Sequence, residues 1–134
     1  MRSVIGHMAR TKTSEAKIKF TADTHEYNEG LSKAGAATKE LNNALKLADS
    51  ELKNNGDNIE GLRKKHSLLQ EKLSVTQEKE ELVNQKLQKA IEIFGENSAE
   101  AQKNRTEILK FKNEEEKLRG EIGDCNKRIE EYTA

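Results

Sequence analysis

The chain has 134 residues, enough for one domain, with charged residues at 36%, aromatics at 4% and neither Pro nor Trp. Together with long periodic runs this is the composition of a coiled coil rather than of a globular enzyme. Lys plus Arg and Asp plus Glu are both 24, so the net charge is zero and no global field draws the chain to nucleic acid or an anionic membrane.

No apolar run is long enough to span a bilayer, and the N-terminus lacks the apolar core of a signal peptide. The single cysteine, Cys125, excludes an internal disulfide and fits a reducing compartment. Intrinsic disorder is the alternative for so charged a chain, and regular heptads with capped turns argue against it.

In chain order, residues 1–16 read as a flexible polar leader, and Gly6-His7-Met8 within it looks like an expression-vector junction, so 1–8 are set aside. Residues 17–21 alternate polar and apolar, which predicts a short β-strand over 17–22 with Ile18 and Phe20 on one face, or an extended leader laid on the helices. A lone strand needs a partner. Asp23 and Glu26 have capping-box spacing, so the first helix is expected to begin near Thr24.

Its seam reads Leu31, Ala34, Thr38, Leu41, Leu45, Ala48, Leu52 and stops at Asn54-Asn55-Gly56, after which Asp57, with Glu60, is expected to cap the second helix. A continuous a/d register then runs Ile59, Leu62, His66, Leu69, Leu73, Thr76, Glu80, Val83, Leu87, Ala90, Phe94. Gly95 suits the left-handed residue after a helix, and Asn97 or Ser98 can cap a third helix, with Glu100 completing a box on Asn97. The third seam reads Ala101, Asn104, Ile108, Phe111, Glu115, Leu118, Ile122, Cys125, Ile129, Tyr132.

The expected architecture is therefore all-α: an antiparallel helical hairpin extended to a three-helix coiled coil over 24–134, with helices at about 24–54, 58–94 and 98–132. Short turns at Gly56-Asp57 and at Gly95, Asn97 and Ser98 align seven layers. Leu52/Leu62/Ile129, Leu45/Leu69/Ile122, Leu41/Leu73/Leu118 and Leu31/Val83/Ile108 are aliphatic, and Thr38/Thr76/Glu115 is too polar for a dry core. The central register residues are Leu41, Leu45, Leu69, Leu73, Leu118 and Ile122. The hairpin tip, from Leu87 through Phe94 to Ala101, would lack a covering first helix, so Ile18 and Phe20 folding onto it, or self-association, is expected.

Candidate chemistry is sparse. His66 and Cys125 share a predicted layer, but zinc needs about four ligands and no second cysteine exists. Glu80 and Glu115 could be mistaken for paired catalytic carboxylates; on a coiled-coil seam with Lys79, Lys112 and Lys117 near, they read as register-setting residues snorkelling to water. The glycines carry no GK[ST] and make no phosphate loop, and Lys64-Lys65 and Lys110 to Lys112 are balanced by nearby glutamates, as on a solvated helix face. No catalytic, cofactor or metal residue is expected, nor a small-molecule substrate.

Particular phrases say more: Ile18-Lys19-Phe20-Thr21-Ala22-Asp23-Thr24 followed by Tyr27 and Gly30; Asn55-Gly56-Asp57 with Glu60-Gly61-Leu62; and Ile93-Phe94-Gly95-Glu96-Asn97-Ser98-Ala99-Glu100. Over residues 15–132 the chain resembles the N-terminal region of phage tail tape measure proteins. The resemblance implies an elongated helical virion protein that fills the tail tube, sets tail length, and works with tube subunits and tail assembly chaperones, first in the bacterial host cytoplasm and then in the tube lumen. The chain is far shorter than a tail-spanning member and has none of the apolar or hydrolase segments of many members, so an N-terminal fragment is expected, with no membrane activity carried over. A cytoplasmic coiled-coil adaptor or stalk segment mediating protein association is the alternative.

Overall fold

The computed structural model describes the backbone of residues 2–134 and the side chains of residues 13–134. Three helices follow in order: α1 (Arg2–Asn55), α2 (Ile59–Phe94) and α3 (Ala99–Thr133). No strand occurs among the described residues. The antiparallel layout follows from two short connections that each contain a glycine at positive φ, Gly56 at 76° and Gly95 at 102°.

The strand expected over 17–22 is instead part of α1, as is the backbone of residues 2–16 of the expected leader; the vector origin considered for 1–8 falls outside the described side chains. Five alternating residues cannot outweigh a helical period that continues on both sides. Phe20, Thr24, Tyr27 and Leu31 carry the four-three-four spacing of the first seam upstream, and all are buried or half-buried. Thr21 and Thr24 donate their hydroxyls to the carbonyls of Lys17 and Phe20, at 2.9 and 2.7 Å, which satisfies them inside a helix. Asp23 and Glu26 consequently cap nothing.

One cap assignment moves, and the other resolves to one of its two candidates. Asn58, not Asp57, caps α2: its Oδ1 accepts from the Gly61 N–H at 2.7 Å. Ser98, not Asn97, caps α3, with its Oγ accepting from Ala101 N–H at 3.1 Å. In each case a side-chain oxygen takes one of the donors that a helix start leaves without a partner.

α2 is the central helix. It packs against both neighbours, whereas among the described residues no Cα of α1 comes within 8 Å of one in α3. Leu62, Leu69, Thr76, Val83 and Ala90, one heptad apart, are therefore the buried spine of α2. Close approach of α1 depends on small residues opposite large ones. A Cβ on Gly30 would meet Leu82 at 3.0 Å, and one on Gly61 would meet Leu52 at 2.9 Å.

Apolar side chains form two separate clusters. One joins Leu45 and Leu52 of α1, Leu62 and Leu69 of α2, and Leu118 and Cys125 of α3, with Leu68, Leu73, Ile122 and Ile129 against it. The other, at the hairpin tip, joins Leu87, Ala90 and Ala101 with Phe20, Ile91 and Ile108. Leu41 lies outside the first cluster and lines the open crease between α1 and α2 with Ala37, Ala44 and Val75. Of the expected Leu41/Leu73/Leu118 layer, Leu73 and Leu118 thus belong to the first cluster and Leu41 does not. At the tip Phe20 supplies the missing cover, its ring edge-on to Phe94 with centroids 5.4 Å apart, while Ile18 stays 70% exposed.

Two glycines separate backbone need from tolerance. Gly95 has φ 102° and ψ 159°, a region almost closed to other residues, so Gly95→Ala is expected to lower stability by about 1–3 kcal/mol. Gly35 sits inside α1 with open space around its Cα, so Gly35→Ala should raise stability by about 0.5–1 kcal/mol. Urea unfolding followed by circular dichroism at 222 nm measures both.

Candidate functional site

Three features could carry function: a corner where the first turn is tied to the end of α3, a groove between α1 and α3 floored by α2, and a polar waist between the two apolar clusters.

At the corner Asp57, released from capping, accepts both Nε and a terminal nitrogen of Arg128, the Nε contact being 3.2 Å. The Tyr132 hydroxyl donates to the Asp57 carbonyl. One layer inward, the Cys125 thiol donates to the Leu62 carbonyl at 3.2 Å. Burial pushes the Cys125 thiol above its ordinary range, against the pull of Lys65 and Arg128. It is a buried thiol with its pKa raised, whereas reactive thiols have theirs lowered. Its hydrogen bond goes to backbone rather than to His66, and no group of three or more His, Cys, Asp or Glu suited to a metal occurs among the described residues.

The groove is organised by charge. Lys65, Lys72, Lys79 and Lys86 recur at heptad spacing on α2, and Glu100, Glu107, Glu114 and Glu121 do so on α3; all eight are half-buried. Antiparallel pairing matches them in reverse order. Lys72 and Glu114 form an ion pair at 3.4 Å, Lys65 and Glu121 line one part of the groove together, and Lys79, Lys86 and Glu107 line another. Only Lys64-Lys65 and Lys110 to Lys112 stood out in the sequence, as a solvated face; the constant seven-residue period of these lysines and glutamates is the signal that marks a flanking ladder.

Two lysines find other contacts as well. Lys65 Nζ is 2.7 Å from Asp49 of α1, bridging the two helices, and Lys79 Nζ stands 5.9 Å from the centre of the Phe111 ring. Burial, then the neighbouring Lys72 charge, lowers the Lys79 pKa against the opposing Glu114.

At the waist, polar seam residues mostly satisfy themselves. Thr38 and Thr76 donate to the carbonyls of Ala34 and Lys72, at 2.9 and 2.8 Å, and Asn104 donates to the Glu100 carbonyl at 2.9 Å. Glu115 does not. The sequence suggested that it snorkels to water, yet it is only 6% exposed and its Oε2 has no hydrogen-bond partner. Arg119 approaches Oε1 at 3.6 Å from the exposed side. Burial first, then the Glu80 carboxyl across the α2–α3 interface, push Glu115 up to about 7, against Arg119 and Lys112.

Among the predicted register residues, Leu45, Leu69 and Leu118 are buried and Leu73 and Ile122 pack on their cluster, while Leu41 faces the crease. Gly56 and Gly95 turn the chain, Ser98 caps α3, Asp57 ties the corner, and Asn97 offers its carbonyl to Gln102 at 3.4 Å. Compared with known proteins, the sequence matches no family model, and neither curated proteins nor solved structures give a match.

The ladder leads to a charge-swap test. Reversing Glu107 and Glu114 to Lys is expected to cost about 0.2–1 kcal/mol per pair. Combining those changes with Lys72→Glu and Lys79→Glu should restore most of the loss, read from urea midpoints at low salt.

Proposed function

We propose that this chain is a structural coiled-coil segment of a phage or phage-tail-like particle tape measure protein, acting in tail assembly and tail-length determination. The observation that carries the reading is that nearly the whole chain is long helix, broken only at two glycine turns. A helix converts residue number into distance at about 1.5 Å per residue, as a length gauge requires. The sequence phrases around Thr24, Asp57 and Gly95 supply the family, and they support the reading independently of the helices.

Folded back, the molecule is as long as α1, about 80 Å; opened at both turns, the helices would reach roughly 190 Å end to end. On this reading the hairpin is the form of the segment before the chain is drawn into the tube. Its partners are other copies of itself, tube subunits and tail assembly chaperones, and it performs no catalysis. Assembly takes place in the host cytoplasm and ends in the tube lumen.

A coiled-coil adaptor or stalk segment is the second reading, favoured by the apolar patch around exposed Ile18, Thr21 and Ala22, which would suit protein association. Neighbouring genes for tube, chaperone and baseplate proteins are expected under the first reading and not under the second. The decisive measurement is tail length. Removing two matched heptads from each of α2 and α3 within the full tape measure gene should shorten tails in electron micrographs by about 1.5 Å per deleted residue. Tails of unchanged length would overturn the length-setting role.

A further inference from the structure

Across the α2–α3 interface Glu80 stands beside Glu115, one heptad from Leu73 and Leu87 on α2 and from Ile108 and Ile122 on α3. Leu73 and Ile122 belong to the lower apolar cluster, and Leu87, Ile108 and Ala101 to the upper. The carboxyl pair falls where the core divides. Glu115 Oε2 is buried and has no donor, and the side chain facing it is a second carboxyl. Two ionised carboxylates there would repel each other and leave acceptors unsatisfied in low dielectric, whereas one proton supplies the missing donor and removes a charge.

We propose that Glu80 and Glu115 share one proton across the α2–α3 interface, and that loss of this proton to water loosens the bundle at its waist. The two apolar clusters on either side hold the ends, so the device acts as a joint rather than as global unfolding. This inference does not rest on the tape measure reading.

The surrounding charges do not cancel the pair. On α3, Arg119 is half exposed at 3.6 Å and Lys112 is exposed, so solvent screens both, while Glu114 is engaged by Lys72. On α2, Lys79 is turned to the Phe111 ring and Lys72 to Glu114. At this level α1 presents Ala34, Thr38 and Leu41, and its charged residues Lys33, Lys39 and Glu40 are exposed.

Glu115 is raised from 4.5 to about 7, so the sign of the pH effect is fixed. Between those values the unfolded chain has released the proton and the folded chain keeps it. The contribution of the protonated pair to stability is thus fully present below 4.5, falls as pH rises to about 7, and is flat above. Ordinary carboxylates have finished titrating by about pH 5.5, and every other titratable group is common to wild type and variant.

The test combines ¹³C side-chain titration of the full chain with hydrogen exchange from about pH 5.5 to 8. Wild-type Glu115 is expected to titrate near 7. Amides over 76–83 and 111–118 should exchange faster with pH than the intrinsic tenfold per unit, with those around Leu62 and Ala101 following the intrinsic rate. Glu115→Gln mimics the protonated form and should abolish the excess at the waist. Glu80→Gln supplies an amide donor and should bring the Glu115 midpoint down by a unit or more, tenfold or more in proton affinity. A wild-type Glu115 midpoint below about pH 5.5, or a pH-dependent waist that survives in Glu115→Gln, would overturn the proposal.

Discussion

The structure depends on α2 having to serve two neighbours at once. Its spine residues Leu62, Leu69, Thr76, Val83 and Ala90 are buried because partners lie on both sides, and no other helix has that arrangement. With only two interhelical interfaces, every apolar contact between α1 and α3 must pass over α2. This explains why the core is two clusters rather than a continuous column, and why a groove remains between the outer helices.

The two interfaces of α2 are built differently. Toward α1, Gly30 lets Leu82 approach closely and Gly61 lets Leu52 do so, so dispersion and burial hold the pair. Toward α3, the seam is flanked by lysines and glutamates in matched heptads, which contribute little energy singly but oppose a slip of either helix along the other. Asp57, Arg128 and Tyr132 close this second interface at its open end, opposite the covalent turn at Gly95.

Polar residues on the seam follow one rule. Thr24, Thr38, Thr76 and Asn104 return their donors to carbonyls of their own helix, so they can be buried without cross-helix partners. Glu115 has no donor to return while ionised, which makes it the exception and turns its burial into a matter of protonation. A tape measure segment, as proposed for this chain, would need helices that are firmly aligned when stored and able to part, and a polar interruption in the core is compatible with both.

Heptad periodicity and the two glycine corners, readable directly from the residues, fixed the helical class, the number of reversals and most buried positions, because seam spacing and positive-φ turns are local properties of the chain. The strand expected around Ile18 failed because five residues hold too little period to compete with the seam continuing through Phe20, Thr24 and Tyr27. Cap assignment slipped by one residue at Asp57, and of Asn97 and Ser98 the turn geometry selected Ser98, since neighbouring Asx and Ser residues are equivalent until that geometry is formed. Which helix is central and why Glu115 is buried instead of reaching water were decided by tertiary packing alone: both depend on the distance between helices that are remote in sequence, and a seam pattern carries no information on how far apart its neighbours' neighbours lie.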